Sequence, residues 1–412
     1  MKLKNIGEVV KWRLCAGCGA CAYACPENRI KLTDVFDDGI RPVIENEKYC
    51  GACRDCMKVC PGHELTHRSY DHVPGLIKEL QEGWGPVLEV WEGYASDPEI
   101  RFRGSSGGAA TALALYALEK EGMGGVLHTG ADEGKPLKNK TSFSTLRKEL
   151  IERSGSRYSP ASPCDSLGKI ESSARPSVFI GKPCDVAALR KAEALRPGLE
   201  KKVGVSISIF CAGTPSTMGT VELLKSLGLE AKGAGEVRYR GLGWPGLFTA
   251  RLKGEKNPSA RLSYKDAWGF LQKYRQYRCY LCPDGTGEFA DISCGDPWYR
   301  EIREGERGHS LVIARTERGR FLIRQSIEAG YLKLTRTGAK MLVDSQVNLL
   351  EKRRTIWGRL AAMKAFGIPA PSFNGFSLFK IWRSLDKKEK IRSILGTSRR
   401  IIQRGYYRRK TT

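Results

Sequence analysis

Eight cysteines near the start of the chain have the spacing of iron–sulfur ligands. They lie in two stretches, CAGCGACAYACP at 15–26 and CGACRDCMKVCP at 50–61, which share spacers of two, two and three residues and a proline after the last cysteine. Three closely spaced thiolates can bind three corners of a 4Fe-4S cube, while the fourth, turned away by the proline, reaches the neighbouring cluster. The spacing therefore predicts two 4Fe-4S clusters that exchange their fourth ligands.

Each predicted ligand set takes three cysteines from one stretch and one from the other. The first cysteine set comprises Cys15, Cys18, Cys21 and Cys60, and the second cysteine set comprises Cys25, Cys50, Cys53 and Cys56. Small residues between them, among them Gly17, Gly19 and Gly51, let backbone N–H groups approach cluster sulfur. The alternative, a pair of zinc sites, usually shows two CxxC units or histidines instead. Residues 1–75 are predicted to form a bacterial-type two-cluster ferredoxin module, with IKLTDVFDDGIRPVIENEKYC as the hairpin and return between its halves.

The bulk composition favours a folded intracellular metalloprotein. The chain has 412 residues, of which 41% are apolar, so it is long enough for two or three domains with buried cores. Fourteen cysteines without a secretion signal indicate metal ligands or redox centres, since cytosolic thiols stay reduced. No apolar run approaches the length of a membrane-spanning helix. We expect a cytoplasmic protein, whose net charge of +24 favours acidic partners.

After about residue 80 the sequence alternates between strand-like and helix-like segments. VLEVWEGYA at 87–95, PSVFIG at 176–181 and VGVSISIF at 203–210 are strand-like, and a helix-like stretch follows each. This alternation predicts an α/β body in which the loops after the strands are available to ligands. The whole chain is thus expected to join an α+β ferredoxin module to an α/β body.

A glycine-rich loop precedes the first helix of this body. It comprises Gly104, Ser105, Ser106, Gly107 and Gly108, and good helix formers follow from 109 to 120. Free amides at a helix N-terminus, with Arg101 and Arg103 nearby, suit a pyrophosphate. Such a turn is also a common tight connection, so the loop alone leaves both interpretations open.

Five blocks of the body resemble one family in their order along the chain. They are SSGGAATALALYALE at 105–119, GKPCDVAALRK at 181–191, IFCAGTPS at 209–216, YRGLGWPG at 239–246 and CYLCPDGTGEFADISCGDPW at 279–298. The sequence resembles the beta subunits of coenzyme F420-reducing hydrogenases and dehydrogenases, which are iron–sulfur flavoproteins. The resemblance extends to about residue 345, so we divide the body into 80–170 and 171–345 and treat 346–412 as a basic extension.

The resemblance implies a flavin, most simply FAD, bound without a covalent link in the α/β body. The implied cofactor contacts are Arg103, Gly104, Ser105, Ser106, Gly107, Gly108, Lys182, Asp296 and Trp298. A flavin would convert two-electron transfer into the single electrons that a ferredoxin module carries. Coenzyme F420 itself is a candidate substrate. Lys182 and Asp185 depart from the residues usual in the family's GxPC turn, which leaves room for another substrate.

The resemblance also makes a third 4Fe-4S cluster a candidate. The third cysteine set comprises Cys184, Cys211, Cys279 and Cys282. The last two form a CxxC pair, and the set resembles a four-thiolate site of the family's body. Cys294 is a rival for the fourth position, Cys164 is expected to be a bystander, and a reactive or structural cysteine pair is the alternative.

Aromatic and acidic residues of the late blocks have two interpretations each. Trp244, Trp268 and Trp298 can flank a ring or fill core volume, and we favour only Trp298 as a ring contact. Asp291 and Asp296 can accept hydrogen bonds from a cofactor or cap the turns around them.

The C-terminal segment 380–412 is strongly basic. It contains twelve Lys or Arg against two Asp or Glu, with apolar residues interleaved. This pattern predicts an amphipathic helix at an anionic membrane or an acidic partner, and a solvated tail is the alternative. Nucleic acid is not expected, because no recognised binding module accompanies the charge.

Two classes of function follow. In the first, the protein is an enzyme that moves electrons between ferredoxin or coenzyme F420 and an organic substrate, with polysaccharide biosynthesis as one setting. In the second, it is a non-catalytic beta subunit that relays electrons for a hydrogenase or dehydrogenase partner. The built-in ferredoxin module favours the first class, since such a chain needs less from a partner. A cytoplasmic location, peripheral at the inner membrane face if the basic segment binds lipid, fits both classes.

Overall fold

The computed structural model describes residues 3–50, 52–67, 69–70, 72–303 and 305–410. Gly51, which the sequence places beside the second cysteine set, lies outside the described residues. Within these ranges, every helix is too short or too polar to cross a membrane.

The N-terminal module consists of short helices around a hairpin. Its elements are α1 (Ile6–Lys11), α2 (Ala20–Ala24), β1 (Ile30–Val35), β2 (Gly39–Ile44), α3 (Asp55–Lys58) and β3 (Glu64–Thr66). Strands β1 and β2 pair antiparallel, with Ile30 opposite Ile44, as the sequence predicted for the segment between the two cysteine stretches. Helices α2 and α3 each begin within a cysteine stretch, so both halves of the module are built alike.

The body alternates strands and helices. Short 3₁₀ turns lie at Lys78–Leu80, Pro163–Ser166, Ala231–Gly233 and Gln272–Tyr274, and another lies in the N-terminal module at Glu47–Tyr49. Its first half contains α4 (Gln81–Trp84), β4 (Glu89–Ala95), α5 (Pro98–Arg103), α6 (Ala109–Glu119), β5 (Val126–Ala131), β6 (Asn139–Ser144), α7 (Arg147–Glu152), α8 (Gly168–Glu171), β7 (Ser177–Gly181), α9 (Pro183–Leu195), α10 (Pro197–Glu200) and β8 (Val203–Ile209). Its second half contains α11 (Thr217–Ser226), β9 (Ala234–Arg238), β10 (Leu247–Leu252), β11 (Ala260–Ser263), α12 (Tyr264–Leu271), α13 (Tyr277–Tyr280), β12 (Ile292–Gly295), β13 (Ser310–Ala314), α14 (Glu317–Glu328) and β14 (Leu332–Thr337). The three strand-then-helix predictions are confirmed at β4, β7 and β8.

One eight-stranded sheet organises this body. Its strand order is β14-β4-β13-β12-β8-β7-β5-β6, and the four consecutive strands β12, β8, β7 and β5 run parallel. Loops at the carboxyl ends of parallel strands form the usual ligand crevice of such sheets. The GKPC turn follows β7, the FCAG segment follows β8 and the GDPW block follows β12, so these motifs meet at one edge. A separate antiparallel sheet, β11-β10-β9, is formed by the segment between β8 and β12.

The basic extension is folded against the rest of the protein. It contains α15 (Ala339–Ser345), α16 (Val347–Ala365), β15 (Ser372–Asn374), α17 (Leu378–Arg383) and α18 (Lys387–Gln403), the first of which begins before residue 346. Strand β15 pairs in parallel with β3 of the N-terminal module, and α18 packs on α16. Ile356, Leu360 and Ile401 of the extension share a buried core with Leu14 and Met57 of the module. The helical prediction for 380–412 is thus matched by α17 and α18.

A buried ionic network joins the module, the body and the extension. Glu288 forms an ion pair with Arg353 of α16 and a hydrogen bond of 2.9 Å with the ring nitrogen of His67, which follows β3. The side chains of all three are nearly inaccessible to solvent, and His67 stacks on Phe289 at 4.3 Å. Although burial raises the pKa of Glu288, Arg353 and His67 lower it more, to about 2. Glu288 is therefore a charged anchor for three parts of the chain.

We expect Glu288→Gln to lower the free energy of unfolding by about 3–5 kcal/mol, because it leaves the buried Arg353 guanidinium without its counter-charge. The measurement is chemical or thermal unfolding of the anaerobic protein. The matched control is Glu317→Gln, which removes a largely exposed pair with Arg320 and should cost less than about 1 kcal/mol. Because the folded pKa of Glu288 lies below that of an unfolded glutamate, about 4.3, this stabilisation is present above that pH and is lost as the pH falls toward 2. Equal effects of the two substitutions would contradict the anchoring role.

Candidate iron–sulfur and cofactor sites

The first cysteine set lines one small cavity in the N-terminal module. Cys15, Cys18, Cys21 and Cys60 line it, together with the small residues of the first stretch, and its volume is only about 10 Å³. Gly17 and Gly19 have φ angles of 71° and 89°, which favour glycine, and the Gly17 N–H donates to the Cys15 sulfur at 3.3 Å. Three cysteines of one stretch and one of the other thus meet, as the predicted exchange of ligands requires. Their role as ligands stays a prediction.

Burial dominates the electrostatics of this set. It raises the pKa of Cys18 well above the ordinary thiol value, and Cys60 and Cys15 raise it further. Burial likewise raises the pKa of Cys21, and the other thiols of the set and Cys56 raise it further. Burial also raises the pKa of Cys60, to about 11, so Cys18, Cys21 and Cys60 would be neutral thiols at pH 7 without a metal. Bound iron would supply the positive charge that favours their ionised form, so the donor set fits a cluster.

The second cysteine set is more exposed and shows the same exchange. Burial raises the pKa of Cys56, and the neighbouring Cys53, Cys25 and Cys50 raise it further. Cys25 comes from the first stretch, so it lies with the three cysteines of the second stretch. Because Cys56 also raises the pKa of Cys21, the second set is adjacent to the first.

The third cysteine set is assembled from three separate segments of the body. Burial raises the pKa of Cys184, and Cys211 and Cys282 contribute to the increase. Burial, with Cys279 beside it, raises the pKa of Cys211 to about 12. The Thr214 N–H donates to the Cys279 sulfur at 3.3 Å, as backbone amides do around cluster thiolates. The structure therefore brings the four predicted cysteines together.

The two remaining cysteines differ in position. Burial alone raises the pKa of Cys294 to about 12, whereas Cys211 and Cys282 contribute at Cys184, which favours Cys184 over Cys294 as the fourth ligand. Cys164 is fully buried between two sets: its N–H donates to the Cys18 carbonyl at 3.0 Å, and both Cys18 and Cys184 raise its pKa after burial. Cys164 was expected to be a bystander, and it lies on the path from the first set to the third.

None of the described His, Cys, Asp and Glu side chains gather in groups of three around a point where a single metal ion would bind. A 4Fe-4S cluster needs a wider arrangement, because each of its four cysteines binds a different iron atom.

The main cavity lies at the carboxyl edge of the parallel strands and has a volume of about 2980 Å³. Most of the predicted cofactor contacts line it, namely Gly104, Ser105, Ser106, Gly108, Lys182, Asp296 and Trp298. So do Ala110 and Thr111, in the first turn of α6. The third cysteine set reaches the same cavity through Cys211. A large ligand and a cluster would therefore be neighbours.

Two predicted contacts do not line the cavity. Arg103 pairs with Glu99 on the outside of α5, and Arg101 lines the cavity in its place. Gly107 faces the sheet, where a Cβ atom would lie 2.6 Å from the Gly93 carbonyl oxygen and 2.7 Å from the Ser310 nitrogen. Its small size therefore serves close packing of the loop on the strands.

An aromatic stack forms one wall of the main cavity. Trp298 lies between Trp244, at 5.8 Å, and Tyr264, at 5.7 Å, with nearly parallel rings. Asp296 accepts bonds from the buried Arg240 guanidinium and, at 2.9 Å, from the indole N–H of Trp244. Trp298 thus packs between two rings and also lines the cavity, and its role as a cofactor contact stays a prediction. Asp291 instead binds Arg190 and Ser206 inside the body.

Arg240 was missed by the sequence interpretation although its block was recognised. It lies over the rings of Tyr264 and Trp298, at 4.3 and 5.2 Å, and is almost fully buried. The available signal was an arginine inside YRGLGWPG, between aromatic residues and glycines, because Arg stacks on aromatic faces.

Lys182 and Asp185 form an ion pair of 2.7 Å at the cavity wall. Burial lowers the pKa of Lys182, but the adjacent Asp185 carboxylate raises it above the ordinary value, so the ammonium is charged. The opposite charges of Lys182 and Asp185, the two residues that depart from the family's usual turn, therefore balance each other.

Family models match three parts of the chain. Residues 14–63 match a 4Fe-4S dicluster domain, which confirms the prediction for the N-terminal module. Residues 90–168 match the N-terminal part, and residues 175–340 the C-terminal part, of the coenzyme F420 hydrogenase/dehydrogenase beta subunit. These two matches confirm the resemblance seen in the five blocks.

Two relatives each align with about two thirds of this chain or slightly more. The coenzyme F420-dependent sulfite reductase of Methanocaldococcus jannaschii is 25% identical over 321 residues, which are 70% of this chain and 46% of that protein. The coenzyme F420 hydrogenase subunit beta of Methanococcus voltae is 28% identical over 285 residues, which are 67% of this chain and 95% of that subunit. This chain thus spans about half of the first relative and nearly all of the second.

A chain of the xenon-derivatised F420-reducing NiFe hydrogenase complex from Methanosarcina barkeri has a similar structure. It superimposes with a TM-score of 0.55 at 24% identity and covers 71% of this chain and 97% of its own length. The likeness shows a shared fold for the body.

Proposed function

Because the chain belongs to the family of coenzyme F420 hydrogenase/dehydrogenase beta subunits, we propose that it is the electron-relay subunit of an F420-dependent oxidoreductase complex. Electrons would enter or leave at the main cavity and at the N-terminal module. The observation that carries this proposal is the continuous series of cysteine sets between these two places.

The series has no wide break in its described contacts. Cys56 of the second set raises the pKa of Cys21 of the first set, and the Cys18 carbonyl oxygen accepts a hydrogen bond from the Cys164 N–H. Cys184 of the third set in turn raises the pKa of Cys164, so these two thiols are neighbours. Cys211 of the same set lines the main cavity. Three clusters held by these sets would provide one-electron steps between a two-electron carrier and a partner.

The relay function is the second of the two classes that the sequence left open. The relatives are a sulfite reductase and a hydrogenase subunit that use coenzyme F420, and they support a place in such a complex. They give no support to a sugar-linked reduction in polysaccharide biosynthesis. The partner in this proposal is a hydrogenase or dehydrogenase subunit, or a ferredoxin.

We propose FAD as the cofactor of the main cavity. The first turn of α6 would bind the pyrophosphate with its backbone amides, Ser105 and Ser106 line the same end, and the aromatic stack offers a flat wall for a ring. When bound, FAD would supply the exchange between hydride and single-electron transfer. Lys182 holds a fixed positive charge at the wall, and Cys211 brings the third set to the cavity.

Electron transfer by the isolated chain tests this proposal. Anaerobic protein mixed with reduced coenzyme F420 and an excess of oxidised viologen dye should oxidise the coenzyme and reduce two dye molecules for each one. No organic substrate should be needed. Parallel reactions with NADH, NADPH and ferredoxin identify the carrier. Reduction of the protein by NADPH but not by reduced coenzyme F420 would contradict the proposal.

We also propose that α18 attaches the protein to an anionic membrane. Ile391, Leu395 and Ile402 lie on one side of this helix and are each more than half exposed, while Ile401 packs against the body. With ten net positive charges in 380–412, this surface combines apolar anchoring with attraction to anionic lipid.

Flotation with anionic liposomes tests membrane attachment. The full chain should float at low salt, and Ile391→Ser with Leu395→Ser should reduce the floating fraction several-fold, because two exposed anchors are lost. Arg399→Gln, a single charge change, should have a smaller effect. Absence of flotation at low salt would instead favour an acidic protein partner.

A further inference from the structure

Three arginines from different segments converge on one tyrosine of the CxxC loop. The guanidinium carbons of Arg275 and Arg400 each lie 4.9 Å from the ring centre of Tyr280, and Arg359 donates to the Tyr280 carbonyl oxygen at 2.6 Å. Arg275 precedes α13, whereas Arg359 belongs to α16 and Arg400 to α18. Two of the three therefore come from the extension, beyond the part that matches the family models.

These positive charges lack acidic partners. Arg275 donates to the carbonyl oxygens of Gln272 and Ala212, and within the described residues none of the three arginines forms an ion pair with a carboxylate. Burial, together with the neighbouring charges of Arg400 and Arg275, lowers the pKa of Arg359 to about 10. Like charges packed this closely cost free energy unless an anion lies between them.

The cluster borders the main cavity and is open to a ligand. Arg275, Arg359 and Arg400 line the cavity, as do Lys352 and Arg392. Carboxylates of Glu351 and Glu389 line it too, without pairing with the three arginines. One side of α18 thus faces the cavity, opposite the exposed apolar residues Ile391 and Leu395.

We propose that Arg275, Arg359 and Arg400 form a binding site for a small oxyanion with at least two negative charges, such as phosphate. Guanidinium groups bind such anions through several charge-assisted hydrogen bonds at once, and donors not used by backbone carbonyls remain available here. The proposal does not rest on FAD or on the relay function, because the contacts and charges of the three arginines carry it by themselves.

Isothermal titration calorimetry with inorganic phosphate at constant ionic strength tests the site. Wild-type protein should bind phosphate at this site, and Arg400→Gln should weaken binding at least tenfold. The Arg400 side chain lies over the Tyr280 ring and forms no hydrogen bond or ion pair within the described residues, so this variant should keep its fold, which a melting curve checks. Arg399→Gln, one residue away and exposed, is the matched control and should bind like wild type.

The outcomes are distinct. Binding that is equal in wild type, Arg400→Gln and Arg399→Gln would overturn the proposal, as would no binding by wild type at millimolar phosphate. Repeating the titration with coenzyme F420 present separates two sources of the anion. Competition assigns the site to the anionic end of a larger cavity ligand, and independent binding assigns it to a free anion; both support the site.

Discussion

Replacing Cys279 and Cys282 with serine is expected to lower the iron content of the anaerobic protein from about twelve to about eight atoms per chain. Serine cannot supply the thiolates of the third cysteine set, whereas the first and second sets lie in the N-terminal module and keep all eight cysteines. The measurement is iron and sulfide analysis of anaerobically purified protein, with the cluster absorbance recorded on the same samples.

The matched control is Cys294→Ser. Cys294 is buried, lines the main cavity and stands apart from the third set, so its substitution should leave iron near twelve atoms. Unchanged iron in the double variant would remove the third cluster from the account. Zinc in place of iron in the wild-type protein would contradict the clusters altogether.

Replacing Ala110 with glutamate is expected to remove nearly all bound FAD while the clusters remain. Ala110 lies in the first turn of α6 and lines the main cavity, so a carboxylate there would repel the pyrophosphate at the helix N-terminus. The same charge is favourable for the helix itself, since acidic residues stabilise a first turn. The measurement is the ratio of flavin to iron in the purified protein.

Ala110→Gln separates charge from size. Glutamine has almost the volume of glutamate but no charge, so this variant should keep most of its flavin. Equal loss in both variants would show that bulk, and not phosphate repulsion, decides. Full retention in Ala110→Glu would show that the loop is only a tight connection. Gly107→Val would not give this information, because a side chain there meets the backbone of Gly93 and Ser310.

Local patterns were sufficient for part of this molecule. The cysteine spacing at 15–26 and 50–61 predicted both the module and the exchange of Cys25 and Cys60, because ligand spacing within a loop is a local property. Alternating segments likewise predicted β4, β7 and β8 with the helices after them.

Contacts between distant segments were outside the reach of such patterns. The choice between Cys184 and Cys294 depends on how β7 and β12 are placed in the sheet, and spacing does not encode that. The pairing of β15 with β3 and the position of Cys164 between two cysteine sets are also tertiary facts. Gly107 was predicted as a phosphate contact from its place in a glycine-rich loop. Its small size instead allows the loop to pack against the neighbouring strands.

The central claim is that electrons pass between the main cavity and the N-terminal module through the third cysteine set. Freeze-quenched electron paramagnetic resonance after anaerobic mixing with reduced coenzyme F420 tests it most directly, in wild-type protein and in the Cys279→Ser, Cys282→Ser double variant. The account predicts that the two clusters of the module become reduced rapidly in the wild type and at least a hundredfold more slowly in the variant. Reduction of those clusters at the same rate in both proteins would contradict it.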